Sequence, residues 1–348
     1  MNSRIYAAII IAYMGYVSSS HYSDGVGRFS YREDDNRQPA RWNYVDTENN
    51  EWQNWDALNV DQNECGKESN KQSPIDLTKS SQCKSDHEIL FVKGTCELED
   101  IKFEITPYSL KGTYPRDNFL RGNCTPPALD LSDSFHARYT NTFELKVRSE
   151  HTINGTRYDA EIQFSHIDHV EEEYKTNRDN LIAMTSRLLI VDGTKKNKWI
   201  ENFLEQWEYV AELKEEECNI GKGITSFFSP IEEAISTQTN FKESFFSKRN
   251  LKKDKTILHA PFRNQYYYGY RGSLTIPPCS DIVLWYVVDK PMKIGESQLA
   301  RLKDLIMNYR DGNCRKSTYA NSDGHVNRPL QPRNERDVFH CDENDYSN

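Results

Sequence analysis

Apolar and polar residues alternate in several short runs of this chain. Phe143-Glu144-Leu145-Lys146-Val147-Arg148 is one such run, and Tyr158 to Phe164 is another. A period of two sends successive side chains to opposite faces of a sheet, so each run predicts a strand. Ile153-Asn154-Gly155-Thr156 lies between them. Asn-Gly is a strong hairpin-turn signal because both positions must accept a positive φ, so the two runs should pair antiparallel. Ile282-Val283-Leu284-Trp285-Tyr286-Val287-Val288 is apolar throughout and predicts a buried strand. Helical spacing appears from Lys198 to Glu217, with Ile200, Phe203, Leu204, Trp207, Val210 and Leu213 on one face, and Glu296 to Tyr309 predicts a second helix. Strands outnumber helices, and no internal repeat interrupts the pattern.

The ends break this pattern. Arg4, the apolar run Ile5 to Val17 and the small Ser19 predict a secretory signal over 1–19. The run is shorter than the roughly 20 residues that span a bilayer, so no membrane span is expected in the mature chain. Residues 20–41 form a polar leader, and aromatic residues thicken from Trp42, where one domain is expected to begin and to run over 42–340. A polar tail, 341–348, follows.

Composition narrows the class. With 36% hydrophobic and 28% charged residues, the 348-residue chain is globular. Its net charge of −9 argues against a nucleic-acid binder, which needs basic surface to displace counterions. A basic patch at Lys248, Arg249, Lys252, Lys253 and Lys255 reads as a solvated loop. Eight cysteines without a CxxC pair, behind a signal peptide, predict disulfides rather than a zinc ribbon. Asn123-Cys124-Thr125 and Asn154-Gly155-Thr156 are glycosylation sequons at Asn123 and Asn154.

Four separated segments then carry a resemblance. They are Gln72-Ser73-Pro74-Ile75-Asp76-Leu77; Ser149-Glu150-His151-Thr152 with Tyr158, Ala160-Glu161 and His166; Gly272-Ser273-Leu274-Thr275-Ile276-Pro277-Pro278-Cys279; and Asn327-Arg328-Pro329-Leu330-Gln331-Pro332. In this order the chain resembles the α-carbonic anhydrase family. The resemblance implies an α+β, mainly β fold: a large, twisted, mostly antiparallel central sheet with short peripheral helices. It also implies a disulfide between Cys65 and Cys279.

The family's catalytic zinc is held by three neutral imidazoles and keeps a fourth position for water, whose pKa it lowers to about 7. Two ligands form an H-x-H pair on one strand, and the third lies on its neighbour. Counting back without gaps from Glu150, the pair falls on Arg138 and Thr140. Counting forward from Glu161, the third ligand falls on Gln163. None is a histidine, and a guanidinium has no lone pair to offer. The chain is therefore similar to the acatalytic members of the family. His136 has the parity of 138 and 140, but a register shift that made it a ligand would still leave Arg138 and Gln163 in the set. Thr275, Glu150 and Glu161 match the hydroxyl and carboxylates that support the family's site. His151 and His166 match structural positions, and Thr106 to Tyr114 holds no shuttle histidine. Arg138 is expected to pair with a nearby carboxylate in place of the metal.

These readings imply a secreted protein of the secretory pathway, extracellular or lumenal, without a cofactor and acting as a binding or structural module toward a protein or matrix partner. Two alternatives stay open. One is a zinc carbonate dehydratase with a displaced metal site. The other is a small-anion binder that uses Arg138, His136, Thr140, Gln163 and Thr275 in the vacated cleft. The insert from about 170 to 260 is the expected partner surface.

Overall fold

The computed structural model describes residues 65, 71–84, 89–114, 124–131, 137–167, 182–223, 266–276 and 279–342. The predicted signal and leader, Asn123, His136, the basic patch, tail residues 343–348, and parts 170–181 and 224–260 of the insert lie outside the described residues.

The alternating runs around Asn154-Gly155 become the centre of one sheet. Strand β7 (Arg138–Val147) pairs antiparallel with β10 (Ala160–Ile167), as the turn signal predicts. Two short strands, β8 (Thr152–Ile153) and β9 (Thr156–Arg157), form the hairpin tip. Asn154 and Gly155 take φ of 48° and 76°, the left-handed values this turn requires. Asn154 is exposed there.

β11 (Ile182–Val191) flanks β10 and pairs parallel with β13 (Val283–Ile294), which extends the apolar run predicted from Ile282. β12 (Tyr267–Gly272) and β14 (Phe339–Cys341) continue the sheet to β2 (Ser81–Gln82). On the other side lie β5 (Leu110–Thr113) and β4 (Lys102–Ile105), with β6 (Ala128–Leu131) pairing β7 and β3 (Ile89–Val92) pairing β6. Among the described residues the sheet has 11 strands, mostly antiparallel. β1 (Asp76–Leu77) joins β8 and β9 in a separate small sheet.

The two faces of the sheet have different fates. The odd residues Phe143, Leu145 and Val147 of β7 enter the main core. Helix α1 (Lys198–Gly223) covers this face, and Phe203 stacks on Phe143 with ring centroids 4.8 Å apart. The helix is six residues longer than the periodicity alone predicts. Gly112 of β5 lies opposite Phe143, whose ring occupies the space a Cβ would need. Arg301 of helix α2 (Glu296–Met307) clamps α1 through Glu201 and Glu208. The even residues Thr142, Glu144 and Lys146 of β7 are polar and buried or half-buried, and they form the site.

Four disulfides tie the loops: Cys65–Cys279, Cys83–Cys341, Cys96–Cys124 and Cys218–Cys314. The first is the pair the resemblance implies. Among the described residues no helix is long and apolar enough to cross a membrane.

Candidate functional site

Antiparallel register decides which side chains meet. Gln163 of β10 lies opposite Glu144 of β7. Alternation then places Thr142, Glu144 and Lys146 on the same face as Gln163. These four line one cavity with Met184, Leu274, Thr275 and Ile276.

Lys146 is the centre of the arrangement. Its side chain is sealed, and its Nζ donates to Glu150 Oε2 at 2.9 Å and to Thr275 Oγ1 at 3.0 Å. Gln163 Nε2 donates to Glu150 Oε2 at 2.9 Å and to Glu161 Oε1 at 3.0 Å. The other oxygen of Glu150 accepts from the backbone N–H of Arg328. A buried carboxylate without such donors would cost several kcal/mol, so each bond here offsets desolvation.

Glu161 is held from several sides. Its Oε1 accepts from Ser186 Oγ at 2.6 Å and pairs with His151 Nδ1 at 2.7 Å. Its Oε2 accepts from the backbone N–H groups of Glu150 and His151, both at 2.8 Å. Burial alone would raise its pKa, but the charge and bonds of His151, with Ser186, bring it down to about 2. His151 Nε2 meets Tyr270 Oη at 2.7 Å. Arg328 anchors the outer layer, donating to the carbonyls of Ser73 and Cys65 and to Gln72.

The structure therefore brings together Gln163, Glu150, Glu161 and Thr275 but not Arg138 and Thr140. The reason is a bulge. Ser165 pairs with Thr142, but the next residue, His166, pairs with Thr140, leaving Asn141 as the extra residue on β7. The inserted residue inverts the parity of the strand beyond it. Thr140 consequently meets His166, with Oγ1 3.1 Å from Nδ1, on the opposite face of the sheet. Arg138 lies buried near the same histidine, and its charge adds to burial in holding the His166 pKa down at about 3. The cation on Glu150 is Lys146 rather than Arg138. Glu161 keeps a partner at position 163 through the glutamine amide. Glu144 and Lys146 are the site residues that a gapless count misses. The hairpin itself carries the signal, because a register centred on Asn154-Gly155 puts Glu144 and Gln163 at nearly equal distances from the turn.

A model of the eukaryotic-type carbonic anhydrase domain matches residues 49–342, spanning the fold and every residue of this cluster. The chain belongs to the eukaryotic-type carbonic anhydrase family. It is 23% identical to alpha carbonic anhydrase 7 of Arabidopsis thaliana, over 96% of this chain and 92% of that protein. It is 25% identical to carbonic anhydrase 6 of Mus musculus, over 79% and 74%. Among solved structures, dioscorin complexed with ascorbate aligns with a TM-score of 0.54 at 18% identity, over 86% of this chain and 96% of that one. A hyperthermostable carbonic anhydrase from a hydrothermal vent chimney aligns at 0.51 and 19%, over 84% and 96%.

A carbonic anhydrase zinc site takes an alternate pair on one strand and a third ligand across from it. The residues in that arrangement here are Glu144, Lys146 and Gln163. This donor set does not fit zinc. An ammonium donates and has no lone pair to give, and the Gln163 amide directs both of its protons at carboxylates. Cys96, Asp100 and Cys124 also lie close enough together to hold a metal, but both sulfurs are spent in a disulfide.

Proposed function

We propose that this chain is a secreted, catalytically silent carbonic anhydrase homologue that works as a binding or structural module. The observation that carries the reading is the Lys146 ammonium, bonded to both Glu150 and Thr275. Those two residues match the pair that supports hydroxide in active relatives. Here they satisfy a fixed cation of the protein itself, which neither polarises a water toward hydroxide nor leaves the acceptors free. The four disulfides favour an oxidising compartment, in keeping with the leader read from the sequence. The exposed Asn154 sequon fits the same route.

His136, on which the displaced-metal alternative rests, lies outside the described residues, and Arg138 and Thr140 face away from the cleft. The small-anion alternative loses Arg138 for the same reason. The test is zinc content per chain and carbon dioxide hydration, measured on protein secreted and purified without chelator. The reading expects neither zinc nor hydration above the buffer rate. About one zinc per chain with hydration overturns it.

A further inference from the structure

We infer that Arg148, Lys303 and His325 form a site for a doubly charged tetrahedral oxyanion, sulfate or phosphate, free or carried as a monoester. The site lies apart from the Lys146 cluster, so the inference stands whether or not the chain holds zinc.

Three separate elements bring these cations together. Arg148 follows directly on the end of β7, and Lys303 lies on α2. His325 belongs to the loop 321–326, which is pinned on both sides of the histidine. The backbone N–H of Val326 donates to the Val147 carbonyl, and this sets His325 beside Arg148. Gly324 approaches α2 so closely that a Cβ there would stand 3.2 Å from Lys303 Cβ and from Met307 Sδ. That contact sets His325 beside Lys303. Asn321 fixes the bend, its Oδ1 accepting from the backbone N–H groups of Asp323 and His325 at 3.0 and 2.8 Å.

Arg148, Lys303 and His325 are all half-buried. Among the described residues, none of the three makes a hydrogen bond or ion pair through its side chain. Asp323, exposed on the same loop, makes no ion pair either. Burial, then the charges of Lys303 and Arg148, lower the His325 pKa against the opposing pull of Asp323. Both cations therefore act on the ring.

Like charges gathered in this way repel, and no carboxylate of the protein bridges them. A doubly charged anion offsets that repulsion. A guanidinium fork and an ammonium both make charge-assisted hydrogen bonds to sulfate or phosphate oxygens, and the imidazole supplies a further N–H. A monocarboxylate brings half the charge. A long polyanion needs a wide basic surface, which a chain of net charge −9 with three gathered cations does not offer.

The test adds sodium sulfate or sodium chloride, at equal ionic strength, to the full secreted chain. The ring protons of His325, assigned with H325Q, are followed by NMR across pH. Sulfate should move the His325 titration to higher pH than chloride does. By reciprocity it should bind about tenfold more tightly below that titration than above it. R148Q and K303Q should each weaken sulfate about tenfold, whereas K93Q, at an exposed lysine beyond β3, should leave it unchanged. Glucose 6-sulfate and glucose 6-phosphate, compared with the inorganic ions, separate an ester from a free ion as the source; either order of affinity keeps the site. Near-UV circular dichroism checks the variants for native packing. If R148Q and K303Q do not fold, sulfate against chloride on wild type decides. No His325 shift beyond that in chloride, or sulfate affinity unchanged in both R148Q and K303Q, overturns the inference.

Discussion

Lys146 Nζ stands 2.9 Å from Glu150 Oε2, with both side chains at or below 1% exposure. Two charges this deep are stable only when their remaining bonds are made. Thr275, Gln163 and the backbone of Arg328 make them. Removing one partner should therefore cost far more than the pair contributes. Lys146→Met is expected to lower unfolding free energy by about 3–5 kcal/mol, because Glu150 is left buried without its cation. Urea denaturation measures this. Lys146→Met combined with Glu150→Gln should recover part of the loss. A single variant within 1 kcal/mol or so of wild type would contradict the buried pair.

His166 predicts how stability changes with acid. Burial, then the Arg138 charge, lowers its pKa from 6.5 to about 3 in the folded protein. The unfolded chain takes up the proton near 6.5 and the folded chain does not. The contribution is thus complete above pH 6.5 and is lost as pH falls toward 3. Glu161, lowered from 4.5 to about 2, adds its own loss only below pH 4.5. Between pH 6.5 and 4.5 this histidine should remove of the order of 2 kcal/mol. His166→Gln should flatten that part of a stability–pH curve measured in urea. An unchanged slope would show that other groups control it.

Gly112 and Phe143 make a steric prediction. The phenylalanine ring lies over the glycine across the β5–β7 pair and continues into the helix-side core through Phe203 and Phe164. Gly112→Ala must push the ring away, at a cost of about 1–3 kcal/mol. Thermal unfolding should show it, and a neutral result would mean that the ring relaxes freely.

The Cys65–Cys279 bridge closes a loop of sequence separation 214 and holds the segment whose carbonyl Arg328 binds. Cys65→Ser with Cys279→Ser should cost about 2–5 kcal/mol and reduce the secreted yield. Chemical denaturation of the purified variant provides the check. Wild-type stability would leave the bridge without a holding role.

Much of the architecture was legible in the residues. Alternation around Asn154-Gly155 read correctly as an antiparallel pair, both helices fell where the apolar spacing put them, and Cys65–Cys279 followed from the family resemblance. Gln163 meets Glu150 and Glu161, a neighbourhood the count from Glu161 reaches because it stays within one strand. Arg138 and Thr140 were misplaced because the gapless count runs six residues past Lys146 and Glu144, and the strand then changes parity before it reaches them. A bulge at Asn141 carries no composition signal, since any residue can be the extra one, yet it turns every side chain beyond it to the other face. Lys146 escaped notice for a different reason. A lysine in an alternating run reads as a solvated face, and only its bonds to Glu150, four residues on, and to Thr275, far off in sequence, reveal that it is buried.

The central claim is that Glu144, Lys146 and Gln163 occupy the place of the metal ligands. Two triple variants decide it by zinc titration. Glu144→His with Lys146→His and Gln163→His should take up one zinc per chain. Arg138→His with Thr140→His and Gln163→His should take up none, because the first two imidazoles point through the opposite face of the sheet. Zinc uptake by the second variant and not the first would contradict the account.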